Sequence, residues 1–194
     1  MSYFSTVGVG LVALVVAANP LVAQRSIFVF GHGGGFSSLE DLNAAGTADF
    51  DTGFNVGGGV GLQLNKYLAV RGSFDFAKSD VRGFGVGGLE GAEIKRFFYG
   101  ADLQLRYPFS MGLSPYVFGG AGGVTIDDTG GRRLDSFSKF AGRFGAGLSY
   151  EFPRSGFGIF GEASGFVYDF DRAGVDETQV DIAWHGGLAY RFDP

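Results

Sequence analysis

The sequence predicts an all-β fold: an eight-stranded antiparallel up-and-down transmembrane β-barrel, preceded by an N-terminal signal peptide. Three observations predict it. Apolar and polar residues alternate with period two along eight segments. Short and long connections alternate between those segments. The 194-residue chain carries 36 glycines and 22 phenylalanines with only 18% charged residues. That length suits one domain of ordinary size. Glycine this abundant without a triplet period often marks low complexity, but 45% hydrophobic and 16% aromatic content gives ample apolar surface to bury.

The first element is the N-terminal leader. Residues 7–18 read VGVGLVALVVAA, an uncharged apolar run. It is shorter than the roughly 20 residues a helix needs to span a bilayer and suits a signal-peptide core. Asn19-Pro20 breaks the run, and Leu21-Val22-Ala23 leads to a cut at Ala23 or Gln24. MSYFST contains no Lys or Arg, so the positive end would be the amino group alone. The expected division is 1–23 signal peptide and 24–194 barrel, with a buried core helix as the other reading of residues 7–18.

The strands follow in order, near 26–36, 54–64, 68–76, 96–107, 114–126, 137–152, 156–170 and 178–192. In LAVRGSFDF (68–76), Leu68, Val70, Gly72, Phe74 and Phe76 fall on one side, and Ala69, Arg71, Ser73 and Asp75 on the other. TQVDIAWHGGLAYRF (178–192) alternates for its full length, long enough to cross a membrane with a tilt. In the seventh strand, GFGIFGEASGFVYDF, bulky residues occupy both faces, and a bulge could shift its register.

Connections near 65–67, 108–113 and 153–155 are short; those near 37–53, 80–95, 127–135 and 171–177 are mostly longer and hold many charges. Short turns at one end and longer loops at the other are the pattern of bacterial outer-membrane barrels. The expected location is the outer membrane, with short turns periplasmic and long loops extracellular.

Which face is wet depends on composition. The polar face is mainly Gly, Ala, Ser and Asn with isolated charges: Arg71, Asp75, Asp102, Arg106, Arg143, Glu151, Glu162, Asp181 and Arg191. Small residues and charges of both signs suit a narrow, self-paired lumen, where eight strands leave room only for side chains. The other face offers Phe97, Tyr99, Leu103 and Leu105, or Phe140, Phe144 and Leu148, which suit lipid. Closure is required, because hydrocarbon cannot satisfy an open strand edge. Tyr67, Tyr107, Phe109, Tyr116, Tyr150, Phe152, Tyr190 and Phe192 cluster at the short-turn end, where an interfacial girdle belongs.

HGGLAYRF (185–192) carries the pattern polar, any, Gly, any, any, aromatic, any, aromatic at His185, Gly187, Tyr190 and Phe192. Here the chain resembles the small eight-stranded outer-membrane barrels of the OmpA/OmpX type, in the broad group of outer-membrane β-barrel domain proteins, over roughly residues 25–192. The resemblance implies that these four residues are read by the barrel assembly machinery. Two departures stand out: Asp193-Pro194 follow the last aromatic, and the chain shows no appended peptidoglycan-binding domain.

Chemistry is sparse. Absence of cysteine removes disulfides and thiolate sites, and a net charge of −5 leaves no basic stripe for nucleic acid. His32 and His185 are the two histidines, without an HExxH or nucleophile motif beside them. GHGGGF (31–36) and FNVGGGVG (54–61) lack the Walker lysine and serine and read as tightly packed strand glycine. Glu40, Asp41, Asp49, Asp51 and DDTGGRRLD (127–135) could bind divalent cations or contact lipopolysaccharide, but no ligand spacing repeats, and solvated loop charges are the plainer reading. DVRGFGVGGLEGAEIK (80–95) is apolar for a loop and either extends a hairpin above the membrane or forms an adhesive surface.

The expected function is therefore a non-enzymatic structural or surface-interaction barrel with no cofactor and no metal. Its expected partners are outer-membrane lipid and lipopolysaccharide, the assembly machinery during insertion, and an extracellular ligand at the loops, with the barrel monomeric. A small-solute pore, a lipid-active barrel enzyme using His32 with Glu40 or Asp41, and a soluble lipocalin-like ligand-binding barrel are the alternatives.

Overall fold

The computed structural model describes residues 26–38, 48–50, 52–83, 93–128, 137–172 and 175–192. The expected signal peptide, Glu40 and Asp41, Asp51, residues 129–136 and Asp193-Pro194 lie outside them. The described strands are β1 (Ser26–Ser38), β2 (Ala48–Phe50), β3 (Gly53–Gln63), β4 (Leu68–Gly83), β5 (Glu93–Arg106), β6 (Leu113–Asp128), β7 (Phe137–Glu151), β8 (Phe157–Arg172) and β9 (Val175–Phe192). Every pairing is antiparallel: β3 through β8 each pair with the next strand, and β1 pairs with both β3 and β9. The result is a closed ring of eight, with the short β2 paired to β4 at Val81–Gly83, beyond the end of β3. A closed ring has no unpaired edge, which is the condition for a sheet to sit in hydrocarbon.

Strand ends differ from the sequence expectation at the long-loop end. β4 and β5 stay paired up to Asp80 opposite Glu93, so 80–83 and 93–95 of the region assigned to an 80–95 loop are strand, and residues 84–92 lie outside the described residues. β8 and β9 pair out to Arg172 opposite Val175, so 171–172 and 175–177 of the expected 171–177 loop are strand. The hydrogen-bond ladder continues past the stretch in which apolar and polar residues alternate. The seventh barrel strand, β8, carries no bulge, since its register to β7 and β9 runs unbroken.

Alternation along each strand divides the residues between two sides. Outward-facing side chains include Phe140 at 74% exposure, Leu188 at 65%, Tyr107 at 60% and Val60 at 58%. A continuous apolar exterior of this kind fits lipid, whereas a soluble barrel would turn its apolar set inward. Inside, Phe36, Phe98, Val124, Phe166 and Tyr168 form a buried layer, with Phe98 stacked on Phe166 at 4.0 Å between ring centroids.

Glycine and aromatic residues interlock across strands. Phe28 lies opposite Gly61, Phe30 opposite Gly59, Phe118 opposite Gly145, Tyr116 opposite Gly147, Phe144 opposite Gly165 and Phe160 opposite Gly187. In each pair the ring occupies the space a Cβ on the glycine would need. This covers glycine in the sheet with a neighbouring ring, and it explains why the composition is rich in both residues. The short turns need glycine for another reason: Gly112 and Gly156 adopt φ of 82° and 70°, in the left-handed region. In the β3–β4 turn, Asn65 Oδ1 accepts from the backbone N–H groups of Tyr67 and Leu68 at 2.8 and 2.9 Å.

Candidate functional site

The functional interior is the lumen, and its charges fall into three groups stacked along the barrel axis. At the short-turn mouth, the guanidinium groups of Arg106 (β5) and Arg191 (β9) both donate to Oε1 of Glu151 (β7), Arg106 at 2.5 Å. Arg106 also donates to Gln63 Oε1 and to Ser114 Oγ, each at 3.1 Å. This group is partly open, with 37% of the Glu151 side chain and 28% of the Arg191 side chain exposed.

The central group is sealed. Arg71 donates to Glu162 Oε2 at 2.8 Å and to Asp102 Oδ2 at 3.4 Å. Arg143 reaches Asp102, Asp75 and Glu162, each at 3.3 Å, and donates to Ser73 Oγ. Glu162 accepts further bonds from Tyr116 Oη at 2.9 Å and Ser164 Oγ at 3.1 Å, and it lies 3.2 Å from His185 Nε2. His32 Nε2 sits 2.8 Å from Asp75 Oδ1, within ion-pair range but off the hydrogen-bonding line. The two imidazoles pack together with centroids 3.9 Å apart, and Asn55 Nδ2 approaches His185 Nδ1 at 3.4 Å. Arg71 also lies over the Phe118 ring at 4.1 Å. Each of the eight barrel strands contributes: His32 from β1, Asn55 from β3, Arg71 and Asp75 from β4, Asp102 from β5, Tyr116 from β6, Arg143 from β7, Glu162 from β8 and His185 from β9.

Above the Phe98–Phe166 layer lies the third group. Asp181 accepts from Ser38 Oγ at 2.5 Å and Tyr168 Oη at 2.8 Å, with Arg96 Nε at 3.7 Å. Arg96 Nη1 donates to Ser79 Oγ at 2.9 Å.

The nine charges singled out in the sequence thus all face the lumen, but they do not form one network. Arg106, Glu151 and Arg191 meet at the mouth; Arg71, Asp75, Asp102, Arg143 and Glu162 meet in the centre; Asp181 pairs above with Arg96, which the sequence reading left out. Tyr116 is a correction. Expected in the girdle, it is 6% exposed and points inward, because on β6 the even positions face the lumen and Pro115 and Val117 face out. His32 is likewise buried among Asp75, His185 and the rings of Phe30 and Phe160, away from the barrel rim where a lipid-active role would place it.

The remaining girdle residues form outward clusters at the short-turn end. Tyr67 stacks on Tyr107, which meets Phe109 edge-on. Tyr150 meets Phe152, and Tyr190 bridges Phe157 and Phe192. In the C-terminal motif, His185 and Gly187 face inward and Tyr190 and Phe192 outward. A Cβ on Gly187 would lie 2.5 Å from the Phe160 ring and would also meet the carbonyl of Gly31, so the glycine there is sterically required.

The lumen holds a cavity of about 70 Å³ between the mouth and the central group, and a smaller one of about 10 Å³ lies beside Asp75, Asp102 and Arg143. No group of three or more ligating side chains suited to a metal ion occurs among the described residues.

Comparisons with solved structures agree on the architecture. The attachment invasion locus protein Ail of Yersinia pestis is 25% identical, with a TM-score of 0.52, 88% of this chain and 99% of Ail being covered. Neisserial surface protein A is 11% identical at TM-score 0.61, covering 87% of this chain and 97% of that one. OprG of Pseudomonas aeruginosa is 20% identical at TM-score 0.52, covering 89% and 97%. A search of curated proteins finds no match. The family described as outer membrane protein beta-barrel domain matches residues 9–192, so this chain, with its closed ring and lipid-suited exterior, belongs to that family and is an integral protein of the outer membrane.

Proposed function

We propose that this barrel is a non-enzymatic, closed-lumen protein of the outer membrane with a structural or surface-interaction role. One observation carries the reading: the central layer spans the lumen with side chains from every barrel strand, and Arg71, Asp75, Asp102, Glu162 and His185 are each 6% exposed or less. Ions passing through would have to break this layer, and removing one partner of a buried ion pair costs about 3–5 kcal/mol. The layer ties the wall together and leaves the work of contact to the loop end.

The likeness to Ail, whose name denotes attachment and invasion, supports a surface-contact role. Short turns then face the periplasm and the extended β4–β5 and β8–β9 hairpins face outside. Residues 1–23 serve as the export signal, and His185, Gly187, Tyr190 and Phe192 address the chain to the assembly machinery. Outer-membrane lipid and lipopolysaccharide surround the apolar wall, a loop ligand is the extracellular partner, and the barrel acts as a monomer without cofactor.

Planar-bilayer recording on the refolded barrel tests the closed lumen. Silent bilayers are the expected result, and steady single-channel openings by the wild-type protein would replace this reading with a small-solute pore.

A further inference from the structure

We infer that the cavity at the short-turn mouth is a binding site for a small oxyanion, a carboxylate or phosphate of a few atoms. Its volume is about 70 Å³, against about 150 Å³ for a cavity that accommodates benzene. A sugar ring or nucleotide does not fit. Of the charged residues lining it, three are arginines (Arg71, Arg106 and Arg191) and one is a carboxylate, Glu151. The Gln104 amide is a neutral donor in the lining, while the Tyr116 phenol and Ser149 hydroxyl beside it give their protons to Glu162 Oε2 and the Ser114 carbonyl.

Charge decides the ligand class. Arg106 and Arg191 converge on a single oxygen of Glu151, so the mouth holds two positive groups against one negative. The carboxylates that hold Arg71, Glu162 and Asp102, belong to the sealed layer above and do not line the cavity. A cation would face three guanidiniums against one carboxylate. A small oxyanion would accept charge-assisted hydrogen bonds from a planar donor fork, the geometry that arginine presents to carboxylate and phosphate. Gly158 and Ala189 line the cavity and leave it space, while the rings of Phe28, Phe30 and Phe160 narrow it. Glu151 acts as the built-in competitor for the same donors.

That competition gives the test a direction that a merely structural mouth would not show. Inorganic phosphate and acetate are titrated calorimetrically into the barrel refolded in an uncharged detergent, with heat-modifiable gel mobility confirming closure. Saturable binding is expected for the wild type. Glu151→Gln should tighten it, by roughly tenfold for one removed competing charge, and Arg191→Gln should weaken it by a similar factor. Absence of saturable binding in both wild type and Glu151→Gln, or equal affinity in wild type and Arg191→Gln, overturns the site. Should Glu151→Gln fail to close, the wild-type and Arg191→Gln pair decides alone. Repeating the titration in phosphatidylglycerol nanodiscs separates the sources: reduced phosphate binding means that a lipid headgroup fills the site, and unchanged binding means that a free ion does.

Discussion

Glu162 and Glu151 are both carboxylates gripped by two arginines, yet one is 6% exposed and the other has more than a third of its side chain in solvent. Glu162 collects Arg71, Arg143, Tyr116, Ser164 and His185 from five different strands, so no single contact can relax without stranding another. Glu151 joins just two arginines at the barrel rim, where water can replace either. The same residue types therefore make a lock in one place and an adjustable gate post in the other, and burial is what separates them.

Substitutions can break or sharpen this contrast. The largest effect is expected for Glu162→Ala, which takes the shared carboxylate from two buried guanidiniums and leaves them on Asp75 and Asp102 alone; the unfolding midpoint in urea should fall by an amount equivalent to about 3–5 kcal/mol, and an unchanged midpoint would contradict the sealed layer. Next comes Gly187→Val, which forces a side chain against Phe160 and the Gly31 carbonyl and should cost about 1–3 kcal/mol, read as lost refolding yield or a lowered midpoint. Tyr116→Phe removes one donor to Glu162 while keeping the ring on Gly147, so about 1 kcal/mol is expected. Glu151→Gln at the exposed mouth should change stability by no more than about 1 kcal/mol. Gly161→Ala should lie within about 0.5 kcal/mol of wild type, since nothing lies within 4 Å of a Cβ there. Equal losses for Glu162→Ala and Glu151→Gln would erase the distinction between the two charged groups.

Much of this was legible in the sequence where one face is plainly polar. Arg71 and Asp75 on β4, or Asp181, His185 and Arg191 on β9, declare their side by strict alternation with Val70, Phe74, Trp184 and Leu188. On β6 the run VFGGAGGVTI is small or apolar on both faces, so the side taken by Tyr116 was not legible before its pairing with Gly147 and its bond to Glu162 were known. Arg96 is hard to read because it stands at the very start of the apolar pattern of its strand, although it shares its parity with Phe98 and Asp102. Division of the lumen into three groups depends on the relative stagger of eight strands, and spacing within one strand carries no information about that.

The ring closes between the first barrel strand and the last. Ser38 and Asp181, joined by a hydrogen bond across that seam, are 143 positions apart in the chain. Contacts so distant are the slow ones to form, because the entropy of bringing the ends together must be met before any pairing rewards it. Until β9 meets β1, both carry open edges, His32 lacks its stacking against His185, and Asp181 lacks Ser38. An unfinished barrel therefore shows its surroundings incompletely bonded polar groups and bare backbone together, so the lifetime of that state counts alongside the strength of the finished wall.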